Sequence, residues 1–217
     1  MKEYFIQPDL DPFKNSADSM IFPADASIQT MEKYAQQFVN YDQFPNPKNA
    51  IIFLRAPHVR NGFDNSCSEC SAEVIMRYWH VRNWNQFRMH REGYLTFEGK
   101  IAEGDRGLAK LFKSGRFTTL NNKGFQFHVK DVRLKSFDDL IIWLKRKIPI
   151  IVRIYTNKER GDQHTQVLIG YSKSSVFLND NDVHYTNPPH WIETGMDHFL
   201  EEWAGKCLII YPNNYKW

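Results

Sequence analysis

Cysteine is scarce: three in 217 residues are too few, and odd in number, for a disulfide framework. The expectation is a reducing setting, with the cytoplasm as the default. No apolar run approaches the ~18 residues that would span a bilayer, so membrane insertion is not expected. The opening residues Met1 to Asp9 lack the basic-then-apolar order of a secretory signal, which leaves only signal-independent secretion open. Charge of one sign is lacking too, since 28 Lys and Arg against 25 Asp and Glu give a formal net charge of +3. The one basic block, Lys145-Arg146-Lys147, closes a predicted helix, where cations complement the helix dipole. Nothing therefore argues for a nucleic-acid partner. Internal repeats and low-complexity tracts are also missing.

What is present is an ordinary globular composition, 42% hydrophobic and 15% aromatic, enough for one well-cored domain with an N-terminal extension. Pro8, Pro12 and Pro23 mark residues 1–28 as an irregular arm. Ser27 caps a predicted helix from Ile28 to Phe44, which Pro45 and Pro47 terminate. We read residues 1–48 as this arm and helix, and residues 49–217 as a single compact unit. Within that unit, Ile51–Leu54 is a short predicted strand, and a helix begins at Cys67 with Val74, Ile75, Tyr78 and Trp79 on its inner side. Residues 80–99 lack periodicity. A helix over Asp105–Lys113 and a strand over Gly124–Val129 follow. Ser136 then caps a helix, Phe137–Lys147, and Pro149 opens a strand, Ile150–Tyr155. After a polar loop, Thr156–Gln163, come strands at Thr165–Tyr171, Ser175–Leu178 and Lys206–Tyr211, with a helix over Met196–Ala204. A helical half followed by a sheet half is an α+β plan.

The chemistry starts in the polar loop from Asn61 to Ser71, which delivers a cysteine to a helix N-terminus. Unpaired N–H groups and the positive end of the dipole favour thiolate there. A cysteine hydrolase also needs a base and a group that orients the base. His164 lies just before the strand Thr165–Tyr171, and Asp180 follows the end of Ser175–Leu178. If those two strands form a hairpin turning at Ser172–Ser174, the two residues meet. Cys70 is the alternative nucleophile. Asn61 lies six residues before Cys67, however, whereas Asp64, which cannot donate to an oxyanion, lies six before Cys70. The bland reading of either thiol is a small buried hydrophobe. A zinc site from Cys67, Cys70, His80 and His90 fits no common ligand spacing. Cys207 and the aromatics Tyr78, Trp79, Trp84 and Phe87 read as core. Every histidine except His164 reads as surface or structural.

Several segments, in order, resemble the papain-like bacteriocin-processing peptidases that cut double-glycine leaders. They are Ala56-Pro57-His58-Val59-Arg60-Asn61, the helix from Cys67 to Arg77-Tyr78-Trp79, and Lys147-Ile148-Pro149-Ile150-Ile151-Val152. Then follow His164-Thr165-Gln166-Val167-Leu168-Ile169-Gly170-Tyr171, Val176-Phe177-Leu178-Asn179-Asp180 and Phe199-Leu200-Glu201-Glu202-Trp203. The resemblance covers residues 50–212. It implies a papain-like fold in which the nucleophile helix packs on an antiparallel sheet. It also implies Cys67 as nucleophile, His164 as base and acid, Asp180 as orienter, and Asn61 at the position of the family's oxyanion glutamine. The implied reaction is cleavage of a peptide or amide bond in a peptide or protein substrate, through a thioester and with no metal or organic cofactor. Asn61 in place of Gln, Ser68-Glu69 in place of Gly-Pro, and Asn181 in place of Pro are departures. They leave two alternatives: a non-peptidase acyl-transfer enzyme such as a deamidase or transglutaminase-like effector, and a peptide-binding module without turnover. Oligomeric state is not legible.

Overall fold

The computed structural model describes residues 26–40, 46–62, 66–81, 84–91, 108–109, 111–113, 117–118, 124–181 and 191–216. The expectations for the arm through residue 25, for residues 92–107, for Asp64, and for His184 and His190 fall outside them. Helix α1 spans Ile28–Ala35 and is capped as expected, with Thr30 N–H donating to Ser27 Oγ at 3.1 Å. It ends well before Phe44. A 3-10 turn, Gln36–Phe38, passes into strand β1, Val39–Asn40, which pairs with β3, His58–Val59. Tertiary pairing here overrides the apolar spacing that suggested a longer helix.

The framework is an antiparallel sheet. Its strands are β2 (Ile52–Phe53), β6 (Phe127–Arg133), β7 (Ile150–Asn157), β8 (Asp162–Tyr171), β9 (Ser175–Asn179), β10 (Ile192–Gly195) and β11 (Trp203–Pro212). The order is β10-β9-β8-β7-β11-β6, with β2 added to β8. Every described pairing is antiparallel. A small separate hairpin joins β4, Phe117–Thr118, to β5, Gly124–Phe125. In the centre, Thr165–Tyr171 and Ile150–Ile154 are buried at consecutive positions, so both faces of β7 and β8 are covered. Each fully buried Val, Ile or Leu there contributes about 1.5–3 kcal/mol.

The expected polar loop at Thr156–Gln163 is instead half strand. β7 and β8 extend through it, pairing Tyr155 with Gln163 and Asn157 with Asp162, and only residues 158–161 turn, with Gly161 at φ 73°. His164 is thus inside a strand rather than ahead of one. β10 was not anticipated. The helix before β11 is also shorter than expected, with α6 spanning Met196–Glu202 and β11 starting at once.

Helix α2, Cys67–Tyr78, carries Glu69 in its first turn and Arg77 in its last, both favourable to the dipole. It stops at His80, which takes the left-handed conformation (φ 56°) while Val81 N–H reaches back to the Met76 carbonyl at 2.8 Å. Helix α5, Phe137–Lys145, ends the same way, with Lys147 at φ 56° and Ile148 N–H bonded to the Trp143 carbonyl. Between them lie α3, Gln86–Arg91, and a helical stretch α4 at residues 108–109 and 111–113. The main core joins Val74, Ile75 and Met76 of α2 to the sheet. A second cluster, Met31, Ala35, Phe38 and Phe87, seats α1 against α3. Trp84 and Phe87 are buried, and Cys207 lies in the main core.

Candidate active site

The hairpin from β8 to β9 pairs Val167 with Asn179 and Leu168 with Leu178, so Asp180 leaves β9 beside the start of β8. There, His164 Nε2 lies 2.9 Å from Asp180 Oδ1. Asp180 is almost fully buried, and its backbone carbonyl accepts a hydrogen bond from His58 Nε2 at 2.6 Å. With Nε2 committed to Asp180, Nδ1 is the ring nitrogen left for the thiol.

Cys67 occupies the first position of α2 and is part-exposed. The helix is fastened to β8 through its hydroxyls: Ser71 Oγ donates to the Thr165 carbonyl at 3.1 Å, and Ser68 Oγ lies 3.4 Å from Thr165 Oγ1. Burial alone would push the Cys67 thiol up. A hydrogen bond with His164, the imidazolium charge and a backbone contact at Thr165 outweigh burial and the opposing Glu69 carboxylate, and hold the thiol below its ordinary value. Burial pulls His164 down, but hydrogen bonds to Asp180 and Cys67 and the charge of both raise it to about 10. Each group thus favours the ionised state of the other, a thiolate beside an imidazolium.

The N-cap residue Ser66 gives α2 no side-chain cap, and its hydroxyl lies instead 3.6 Å from Cys70 Sγ. The first-turn N–H groups therefore keep their capacity to donate. Asn61 is close by: its own N–H donates to the Asn181 carbonyl at 2.9 Å, and Asn181 Nδ2 donates to the Cys67 carbonyl at 3.0 Å. The Asn61 side-chain amide makes no hydrogen bond among the described residues, and its Oδ1 is buried.

Cys70 is not brought to this group. It is fully buried, and its thiol donates to Gln86 Oε1 at 3.1 Å and to the Arg60 carbonyl at 3.4 Å. Burial pushes that thiol well above its ordinary value.

Three residues at the site were not singled out as functional from sequence. His58, read as surface or structural, is buried and holds the Asp180 backbone. Asn181 spans the junction, donating to the Cys67 carbonyl, to Ser71 Oγ at 3.1 Å and to the Thr165 carbonyl at 3.4 Å. Its one sequence signal was its place where the family pattern has proline. Gln86 sits on α3 against the Asn61 loop, with no motif to announce it. Among the described residues, no group of three or more His, Cys, Asp and Glu side chains is placed to hold a metal, and no helix is long and apolar enough to cross a membrane.

The fold is shared with a solved peptidase domain. The peptidase domain of Streptococcus ComA, a bifunctional ABC transporter of a quorum-sensing pathway, superposes with a TM-score of 0.54 at 16% identity, covering 72% of this chain and 98% of that one. A double-glycine motif protease from an AMS/PCAT transporter, solved with its leader peptide, gives a TM-score of 0.47 at 16% identity, over 75% of this chain and 96% of that one. No curated protein matches in sequence. The profile of the peptidase C39-like family matches residues 27–206, and the chain belongs to that family.

Proposed function

We propose that this protein is a cysteine peptidase that cleaves a peptide bond through Cys67, His164 and Asp180. The observation that carries this reading is the His164 ring, bonded to Asp180 at 2.9 Å, together with its coupling to the Cys67 thiol, in which the imidazole holds the thiol below its ordinary value. In the resting pair, the Cys67 thiolate faces the His164 imidazolium. The thiolate attacks the carbonyl carbon, and the carbonyl oxygen takes the negative charge. The Cys67 backbone N–H and the Asn61 amide are the donors to that oxygen; such a donor is worth roughly 2.7–4 kcal/mol of transition-state stabilisation. Collapse of the intermediate breaks the C–N bond as His164 gives its proton to the leaving amine. Neutral His164, held in one tautomer by Asp180, then takes a proton from water, which opens the thioester and regenerates Cys67. Membership of the peptidase family supports a peptide as substrate.

The test is incubation with a peptide library, reading new N-termini by mass spectrometry. Wild type is expected to generate them, and Cys67→Ala and His164→Ala are not. Incorporation of a labelled primary amine in place of hydrolysis would assign the site to acyl transfer between substrates instead. Equal cleavage by wild type and Cys67→Ala would remove Cys67 as nucleophile.

A further inference from the structure

We propose that Gln86 is a positioning residue that sets the Asn61 amide for the oxyanion, an inference that rests on the oxyanion role assigned to Asn61 above. The carboxamide of Gln86 lies along the backbone on both sides of Asn61. Its Nε2 donates to the Arg60 carbonyl at 2.9 Å, and its Oε1 accepts the Gly62 N–H at 2.7 Å. Gly62 N–H can only donate, so the amide orientation is settled by its partners. Together with Asn61 N–H on the Asn181 carbonyl at 2.9 Å, the residue is held at three backbone points while its side chain stays uncommitted. That is the arrangement a preorganised donor requires.

Gln86 is itself immobilised. It is fully buried, and its own N–H donates to Glu73 Oε2 at 2.8 Å. Glu73 is paired with Arg77 at 2.6 Å, and Arg77 with Glu32 of α1 at 3.1 Å. Asn85 closes the chain by donating to Glu32 Oε2 at 2.9 Å. Gly62 permits the close approach, because a Cβ there would lie 2.3 Å from Phe87 Cζ and 3.0 Å from Gln86 Oε1. The loop that carries Asn61 is thus referenced to α1, α2 and α3 through one amide.

The experiment compares two reactions of the same Cys67 thiolate. With 4-nitrophenyl acetate, sulfur attacks the carbonyl, an oxyanion forms, and an S–C bond replaces the C–O bond as nitrophenolate leaves. With iodoacetamide, sulfur displaces iodide at a saturated carbon and no oxyanion forms. The ratio of the two rates, corrected with Cys67→Ala, isolates the oxyanion site. Asn61→Ala is expected to lower the ratio by about 10²–10³-fold. Gln86→Met, which keeps the volume and loses the hydrogen bonds, is expected to lower it ~10-fold or more, with alkylation nearly unchanged. Gln86→Glu, which loses the donor to Arg60, moves it the same way and serves if Gln86→Met does not fold. Adding Gln86→Met to Asn61→Ala lowers the ratio no further. A wild-type ratio in a folded Gln86 variant, an equal fall in both rates, or an undiminished effect in the Asn61→Ala background overturns the positioning role alone. A wild-type ratio in Asn61→Ala overturns the oxyanion reading and this inference with it.

Discussion

Asn181 offers a sharp test, because its Nδ2 faces three oxygens at once: Cys67 O at 3.0 Å, Ser71 Oγ at 3.1 Å and Thr165 O at 3.4 Å. The side chain is almost fully buried, and its Oδ1 has no partner in any case. In Asn181→Ala these contacts vanish, but the Thr165 carbonyl still receives Ser71 Oγ at 3.1 Å. The loss should therefore sit at the lower end of the range for unmade buried hydrogen bonds, ~1–2 kcal/mol. Asn181→Asp keeps the shape and reverses the sign, setting carboxylate oxygens against two carbonyls. Uncompensated buried charge costs about 3–5 kcal/mol, so Asp should be worse than Ala despite being isosteric. At roughly 2–4 °C per kcal/mol for a chain of this size, Tm should fall by ~2–8 °C for Ala and by ~6–20 °C for Asp. Thermal unfolding followed by circular dichroism at neutral pH reads the order directly. An Asp variant as stable as Ala, or as wild type, would refute a donor role for Asn181 Nδ2.

Gly62→Ala places a Cβ 2.3 Å from Phe87 Cζ, in a ring cluster where Phe87 meets Tyr34 and Phe38 edge-on. Overpacking of ~1–3 kcal/mol is expected, read as a lower urea midpoint. Cys70→Ser keeps a donor toward Gln86 Oε1, so peptide cleavage and Cys67 alkylation should persist; loss of both with the fold intact would reopen Cys70 as nucleophile. The pH dependence of stability has a definite sign. His164 is raised from 6.5 to about 10, so its contribution is fully present below about pH 6.5 and is lost as pH rises toward 10. The stability gap between wild type and His164→Ala, from urea titrations at pH 6 to 10, should shrink across that window.

The fold was legible wherever burial is two-sided. Ile150–Ile154 and Thr165–Tyr171 are mostly apolar runs, interrupted by the buried Arg153 and Gln166, because both faces of the sheet centre are covered. It was illegible where strands outrun the core. Thr156, Asn157, Asp162 and Gln163 are exposed or half-exposed strand residues with the composition of a loop. The short α1 failed for a different reason, since Val39 and Asn40 are claimed by β3 across a long stretch of sequence. At the site, Asn61, Cys67, His164 and Asp180 could be nominated because order and spacing connect them. Gln86, His58 and Asn181 act through contacts with backbone atoms, which leave no spacing rule to find. The backbone carbonyl of Asp180 bonded by His58 is legible only once the chain is folded.

That His164 makes Cys67 a nucleophile is tested by the pH dependence of Cys67 alkylation by iodoacetamide in wild type and His164→Ala. In wild type, the hydrogen bond and charge of His164 hold the thiol below its ordinary 9.0, so alkylation should remain fast on the acid side of that value. In His164→Ala, burial and the Glu69 carboxylate act unopposed by the imidazolium, and the profile should move to higher pH. Superimposable profiles for the two proteins would show that His164 does not activate Cys67.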